Sequence, residues 1–144
     1  MTTADQKALT DALSAEYAAV YAYGVIAAYA NTDRAKLVAE YTAAHRARRD
    51  ATIDALKAAG AVIPGPDAAY TAPFPVNDPI PAAKLAVTVE SDCATAWRSA
   101  IEHADSPDIR RTALTALTDA ALRLATWQSI LGTNPATVAF PGQD

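Results

Sequence analysis

The sequence predicts an all-α four-helix bundle, built as two antiparallel helix hairpins joined by a long proline-rich crossover. Three observations carry that expectation. Offset by 74 positions, the chain matches itself at its polar residues, Glu16 on Glu90, His45 on Asp119 and Arg49 on Arg123, and at apolar ones such as Tyr23 on Trp97. Apolar positions recur at spacings of three and four through both halves, the signature of buried helix faces. Between the halves lies a run with prolines at 64, 66, 73, 75, 79 and 81 that no helix can accommodate.

The elements follow in order within a single domain, residues 1–144. Thr2 or Thr3 can cap a first helix over about 3–30, and Asn31-Thr32-Asp33 turns the chain into a second over 33–59, stopped by Gly60. The crossover, 61–80, is expected to be extended or polyproline-like. Pro81 suits the first turn of a third helix over 81–104. Asp105-Ser106-Pro107 repeats the earlier turn, and a fourth helix over 106–131 ends at Gly132. Residues 133–144, with Ala139-Phe140-Pro141-Gly142, read as a tail docked on the bundle. Three-residue turns fold each helix pair back on itself, whereas a 20-residue extended segment reaches ~66 Å, more than the ~39 Å of a 26-residue helix. A crossover that long runs the whole length of a bundle.

Composition narrows the function. Apolar residues make up 51% of the chain and charged ones 19%, with only five glycines, as in a packed helical domain. A net charge of −4 gives no global reason to bind nucleic acid or an anionic membrane. The longest apolar run, Tyr17 to Ala30, is shorter than the ~20 residues a membrane span needs. One cysteine, Cys93, cannot form an intrachain disulfide, and Met1-Thr2-Thr3-Ala4-Asp5 carries no basic leader, so a cytoplasmic protein is expected.

Four polar positions interrupt the apolar stripes. Glu16 lies among Leu13, Val20 and Tyr23, and Glu90 among Ala86, Cys93 and Trp97. His45 and Arg49 stand on the second helix, with Asp119 and Arg123 at the matching places on the fourth. A buried carboxylate requires a cation, a shifted pKa or a full set of hydrogen bonds. One answer is a network of Glu16, His45, Arg49, Glu90, Asp119 and Arg123 in which the two guanidinium groups neutralise the two glutamates. The other is a single Mn, Fe or Zn ion held by Glu16, His45, Glu90 and Asp119, since mixed carboxylate and imidazole donors suit those metals. The network is preferred because it needs no cofactor.

These residues also carry a resemblance. Glu16-Tyr-Ala-Ala-Val-Tyr21, His45-Arg-Ala-Arg-Arg-Asp50, Pro73-Phe-Pro75, Leu117-Thr-Asp-Ala-Ala-Leu-Arg123 and Ala139-Phe-Pro-Gly142 resemble a family of small ferritin-like proteins of unknown function from high-GC, actinobacterial-type bacteria. The ferritin-like superfamily implies a di-metal site with Glu on helices 1 and 3 and Glu-x-x-His on helices 2 and 4. Here those last two motifs read Thr42-x-x-His45 and Ala116-x-x-Asp119, so the resemblance implies a degenerate site. A binding or structural protein is expected before an enzyme, with a metal-binding protein or oxidoreductase as the alternative. Helix 1 carries a second apolar face of Tyr17, Tyr21, Val25 and Tyr29; the proline-rich crossover with Tyr70, Phe74 and Val76 can cover some of it, and a symmetric partner chain covering the rest predicts a homodimer.

Overall fold

The computed structural model describes residues 1–143; Asp144, the end of the expected tail, lies outside the described residues. Among the described residues the chain is all-helical, with four long helices and no strand: α1 Thr3–Tyr29, α2 Ala35–Ala58, α3 Pro79–His103 and α4 Pro107–Ile130, plus a 3-10 turn at Thr32–Arg34. No helix among them is long and apolar enough to cross a membrane. α1 packs on both α2 and α3, and α3 packs on α4.

Helix ends follow local chemistry. Gly60 and Gly132 adopt φ of 68° and 77°, and the N–H of the residue after each bonds the carbonyl of Leu56 or Gln128, closing α2 and α4 with Schellman-type turns. α3 begins at Pro79, not Pro81, because both prolines fit in a first turn whose N–H groups have no helical partner.

Two clusters of buried side chains fill the interior. One contains Leu9, Leu13, Leu56 and Trp97, the other Tyr23, Ile26, Val38, Leu85 and Trp127. Along α1 the first ends at Leu13 and the second begins at Ala19, so Glu16 stands between them. The crossover joins the same two regions: Ala61 and Ile63 pack on the first cluster, and Ala72, Phe74 and Val76 on the second.

The crossover also covers the second face of α1. Tyr17 donates its hydroxyl to the Pro64 carbonyl at 3.0 Å, Tyr21 meets Tyr70 with ring centroids 5.3 Å apart, and Val25 packs against the core. That face therefore offers a second chain little beyond the outer parts of Tyr21 and Tyr29, 44% and 43% exposed. The physical reason is that a proline-rich segment is stiff and extended and can run along a helix. The tail lies on α3 and α4. Gly142, at φ 79°, comes so close to Ala94 that an added Cβ would stand 2.5 Å from its carbonyl oxygen.

A separate polar knot ties the two halves at one end. Thr2 and Asp5 form a capping box, and the fully buried Asp5 carboxylate accepts the N–H groups of Asp105 and Ser106 at 2.8 and 2.9 Å and the Ser106 hydroxyl. The Ser106 hydroxyl, followed by its N–H, holds the Asp5 carboxyl far below its ordinary 3.8. A depressed carboxyl stabilises the fold above its unfolded pKa and ceases to do so as pH falls below it. Asp5→Ala is expected to lower the urea midpoint several times more than Asp11→Ala on the exposed side of α1, and to weaken the loss of stability on acidifying below about 4. Equal midpoints for the two variants would remove Asp5 from the knot.

Candidate functional site: a buried charge network

Each helix contributes to one connected network between the two apolar clusters. His45 on α2 lies at its centre, completely buried, with Nδ1 2.7 Å from Glu16 Oε2 and Nε2 2.8 Å from Glu90 Oε1. Trp97 Nε1–H donates to Glu16 Oε1 at 2.8 Å. Glu90 further accepts the Tyr23 hydroxyl at 3.1 Å and the Arg123 Nε–H at 2.9 Å to each oxygen. Behind Tyr23, Trp127 Nε1–H donates to its phenolic oxygen at 3.0 Å. The two glutamates are served crosswise: Tyr23, seven residues after Glu16, bonds Glu90, while Trp97, seven after Glu90, bonds Glu16.

Charge counting explains why the arrangement is stable. Two carboxylates bring two negative charges; Arg123 and an imidazolium at His45 bring two positive ones. Both ring nitrogens of His45 face carboxylate oxygens, so with both glutamates ionised the two hydrogen bonds form together only when both nitrogens carry protons. Burial by itself lowers the His45 pKa, but the hydrogen bonds and charges of Glu16 and Glu90 outweigh it and raise the group to about 9. Burial likewise opposes the Arg123 charge, and Glu90 more than restores it. Burial, then the same two glutamates, pushes the Cys93 thiol well above its ordinary value, leaving an inert thiol 3.8 Å from the Ala15 carbonyl. Burial, reinforced by Glu90, also raises the Tyr23 phenol.

The structure brings together Glu16, His45, Glu90 and Arg123 of the residues expected from sequence. Arg49 and Asp119 stand outside. Arg49 Nε–H donates to its neighbour Asp50 at 2.8 Å, and Asp119, its side chain 45% exposed, pairs with Arg48 at 3.2 Å. The physical reason is charge: once His45 is an imidazolium, a second guanidinium would leave the interior positive. Sequence reasoning placed Tyr23 and Trp97 on apolar stripes and missed their polar tips. The available signal was an aromatic N–H or O–H seven residues after each glutamate.

A di-metal centre does not fit these donors. Where the ferritin-like resemblance would put its second-helix and fourth-helix carboxylates stand Thr42, whose hydroxyl donates to the Val38 carbonyl at 2.7 Å, and Ala116. Asp119, a proposed ligand for a single ion, points to Arg48. Glu16, His45 and Cys93 do place ligand atoms within 4.8 Å of one another. A shared ion at ~2.0–2.2 Å from nitrogen and oxygen would have to open the His45–Glu16 bond and displace its proton. Among the described residues, Gln128 Oε1 is the buried side-chain atom without a hydrogen-bond partner; the network atoms are satisfied.

Two outcomes test the network. The raised His45 pKa contributes stability fully below pH 6.5, and that contribution is lost as pH rises through about 9. Unfolding free energy measured in urea should decline across that window; a flat profile would mean His45 is neutral in the folded chain. Arg123→Met, which leaves Glu90 short of its cation, should cost about 3–5 kcal/mol. Arg49→Ala should cost under about 1 kcal/mol, and the reverse order would place the wrong arginine in the core.

Comparison with known proteins gives the fold and the family. The chain is 42% identical to a conserved hypothetical protein, rv2844, from Mycobacterium tuberculosis, whose crystal structure superposes with a TM-score of 0.86 over 90% of this chain and 98% of that one. No curated protein matches. The profile of a domain of unknown function, DUF4439, matches residues 8–144. The chain belongs to the DUF4439 family.

Proposed function

We propose that this protein is a ferritin-like bundle of two antiparallel hairpins in which a self-neutralising charge network has replaced the di-metal site, and that it acts as a binding or structural protein without a resident metal. The observation that carries the proposal is the engagement of both His45 ring nitrogens by the two carboxylates a metal would require. The hairpin topology is supported by contacts that run in opposite order: Glu16 meets His45 while Tyr23 meets Tyr41, and Ala104 meets Arg110 while Glu90 meets Arg123. Crosswise service of the glutamates by Tyr23 and Trp97 supports an internal repeat. A buried, solitary Cys93 suits a reducing compartment, and cytoplasmic residence belongs to the same proposal.

The competing function is metal binding, favoured by the proximity of Glu16, His45 and Cys93. Elemental analysis of protein purified without chelators separates the two. The proposal expects substoichiometric Mn, Fe and Zn, and a thermal midpoint that neither EDTA nor the added ions move. Stoichiometric metal that is lost in Glu16→Ala would establish the metalloprotein instead.

A further inference from the structure

Apart from the charge network, a groove of about 260 Å³ opens between α1, the middle of α3 and crossover residues Tyr70 to Pro73. Small alanine side chains of α1, Ala15, Ala18, Ala19 and Ala22, line it. Leu85 and Val89 add aliphatic lining, and the tilted Tyr21–Tyr70 pair adds aromatic lining. One charged residue lines it: Asp92, at the exposed rim, beside Thr88. Asp92 takes part in none of the ion pairs among the described residues, and no Lys or Arg lines the groove. Partial burial raises its pKa, with no hydrogen bond or cation acting the other way.

We propose that this groove binds a small organic ammonium, a primary amine on a single aromatic ring or short alkyl body, with the cation against Asp92 and the body against the aliphatic and aromatic lining. The chemistry of the lining selects that class. A neutral apolar molecule would bury the Asp92 carboxylate further without a partner, and an anion would be repelled by it. A divalent metal ion would find one carboxylate where several oxygen ligands are needed. An ammonium meets the carboxylate while its ring or alkyl body meets the apolar and aromatic lining. The volume lies below the ~300 Å³ at which ordinary ligand pockets begin, which restricts the body to about one ring.

The proposal goes beyond the metal-free charge network and does not depend on it, since Asp92 lies outside that network. The test is an NMR titration of the ¹⁵N-labelled full chain with phenethylammonium chloride, compared with uncharged 2-phenylethanol and with an Asp92→Asn variant whose thermal midpoint confirms its fold. Saturable shifts centred on the amides of Ala22, Tyr70 and Val89, with a Kd on the order of 1 mM for so few atoms, are expected. Binding of 2-phenylethanol to the wild type, and of phenethylammonium to Asp92→Asn, should each be at least threefold weaker. Shifts that do not saturate, or either affinity within threefold of the reference, would overturn the proposal. Metal content reads the charge network separately, so failure here leaves that conclusion standing.

Discussion

A protonated histidine between two buried carboxylates is the interaction on which the rest of this structure depends. Removing Glu16 and Glu90 from water would be prohibitive without charge compensation, because the desolvation penalty amounts to several kcal/mol per ion. His45 compensates both at once, by Nδ1 to Glu16 and Nε2 to Glu90, and Arg123 supplies the remaining charge. Each bond is under 3.0 Å, so the four helices are held to one relative placement. Apolar packing alone tolerates sliding that hydrogen bonds of this length do not.

The surroundings suit this centre. Alanines such as Ala12, Ala19, Ala86, Ala94 and Ala120 are almost completely buried, which lets the helices approach closely enough for short side chains to meet. Aromatic residues then fill the remaining volume and supply polar tips: Tyr23, Trp97 and Trp127 are at most 1% exposed, and each directs its N–H or O–H at a network member. The Asp5 knot fixes the end at which α1 meets the turn between α3 and α4.

Much of the fold was legible in the sequence because its signals are local. Proline clusters, glycine stops and the spacing of apolar residues depend on a few neighbouring positions, and they located the helices and the crossover to within about two residues. The centre was half legible. Carboxylates within apolar stripes identify themselves, so Glu16, Glu90 and the facing His45 could be named. Internal symmetry misled here, because Arg49 matches Arg123 by position while the interior had room for only one guanidinium. How much of Tyr17 and Tyr21 the crossover covers was legible only in part, because it depends on where an extended segment with no periodicity of its own comes to lie.

The division of charge between the halves has a consequence for how the chain could be cut. Glu16 and His45 come from residues before the crossover, Glu90 and Arg123 from residues after it. Each half thus brings one acid and one base to the centre. Two fragments separated within the crossover would meet as locally neutral surfaces, with no Coulomb barrier between their cores, and would be joined across the seam by four further hydrogen-bonding contacts: His45 with Glu90, Tyr23 with Glu90, Trp97 with Glu16 and Trp127 with Tyr23. Neutrality is settled within each fragment, and the choice of partner is made by aromatic N–H and O–H groups and one shared imidazole.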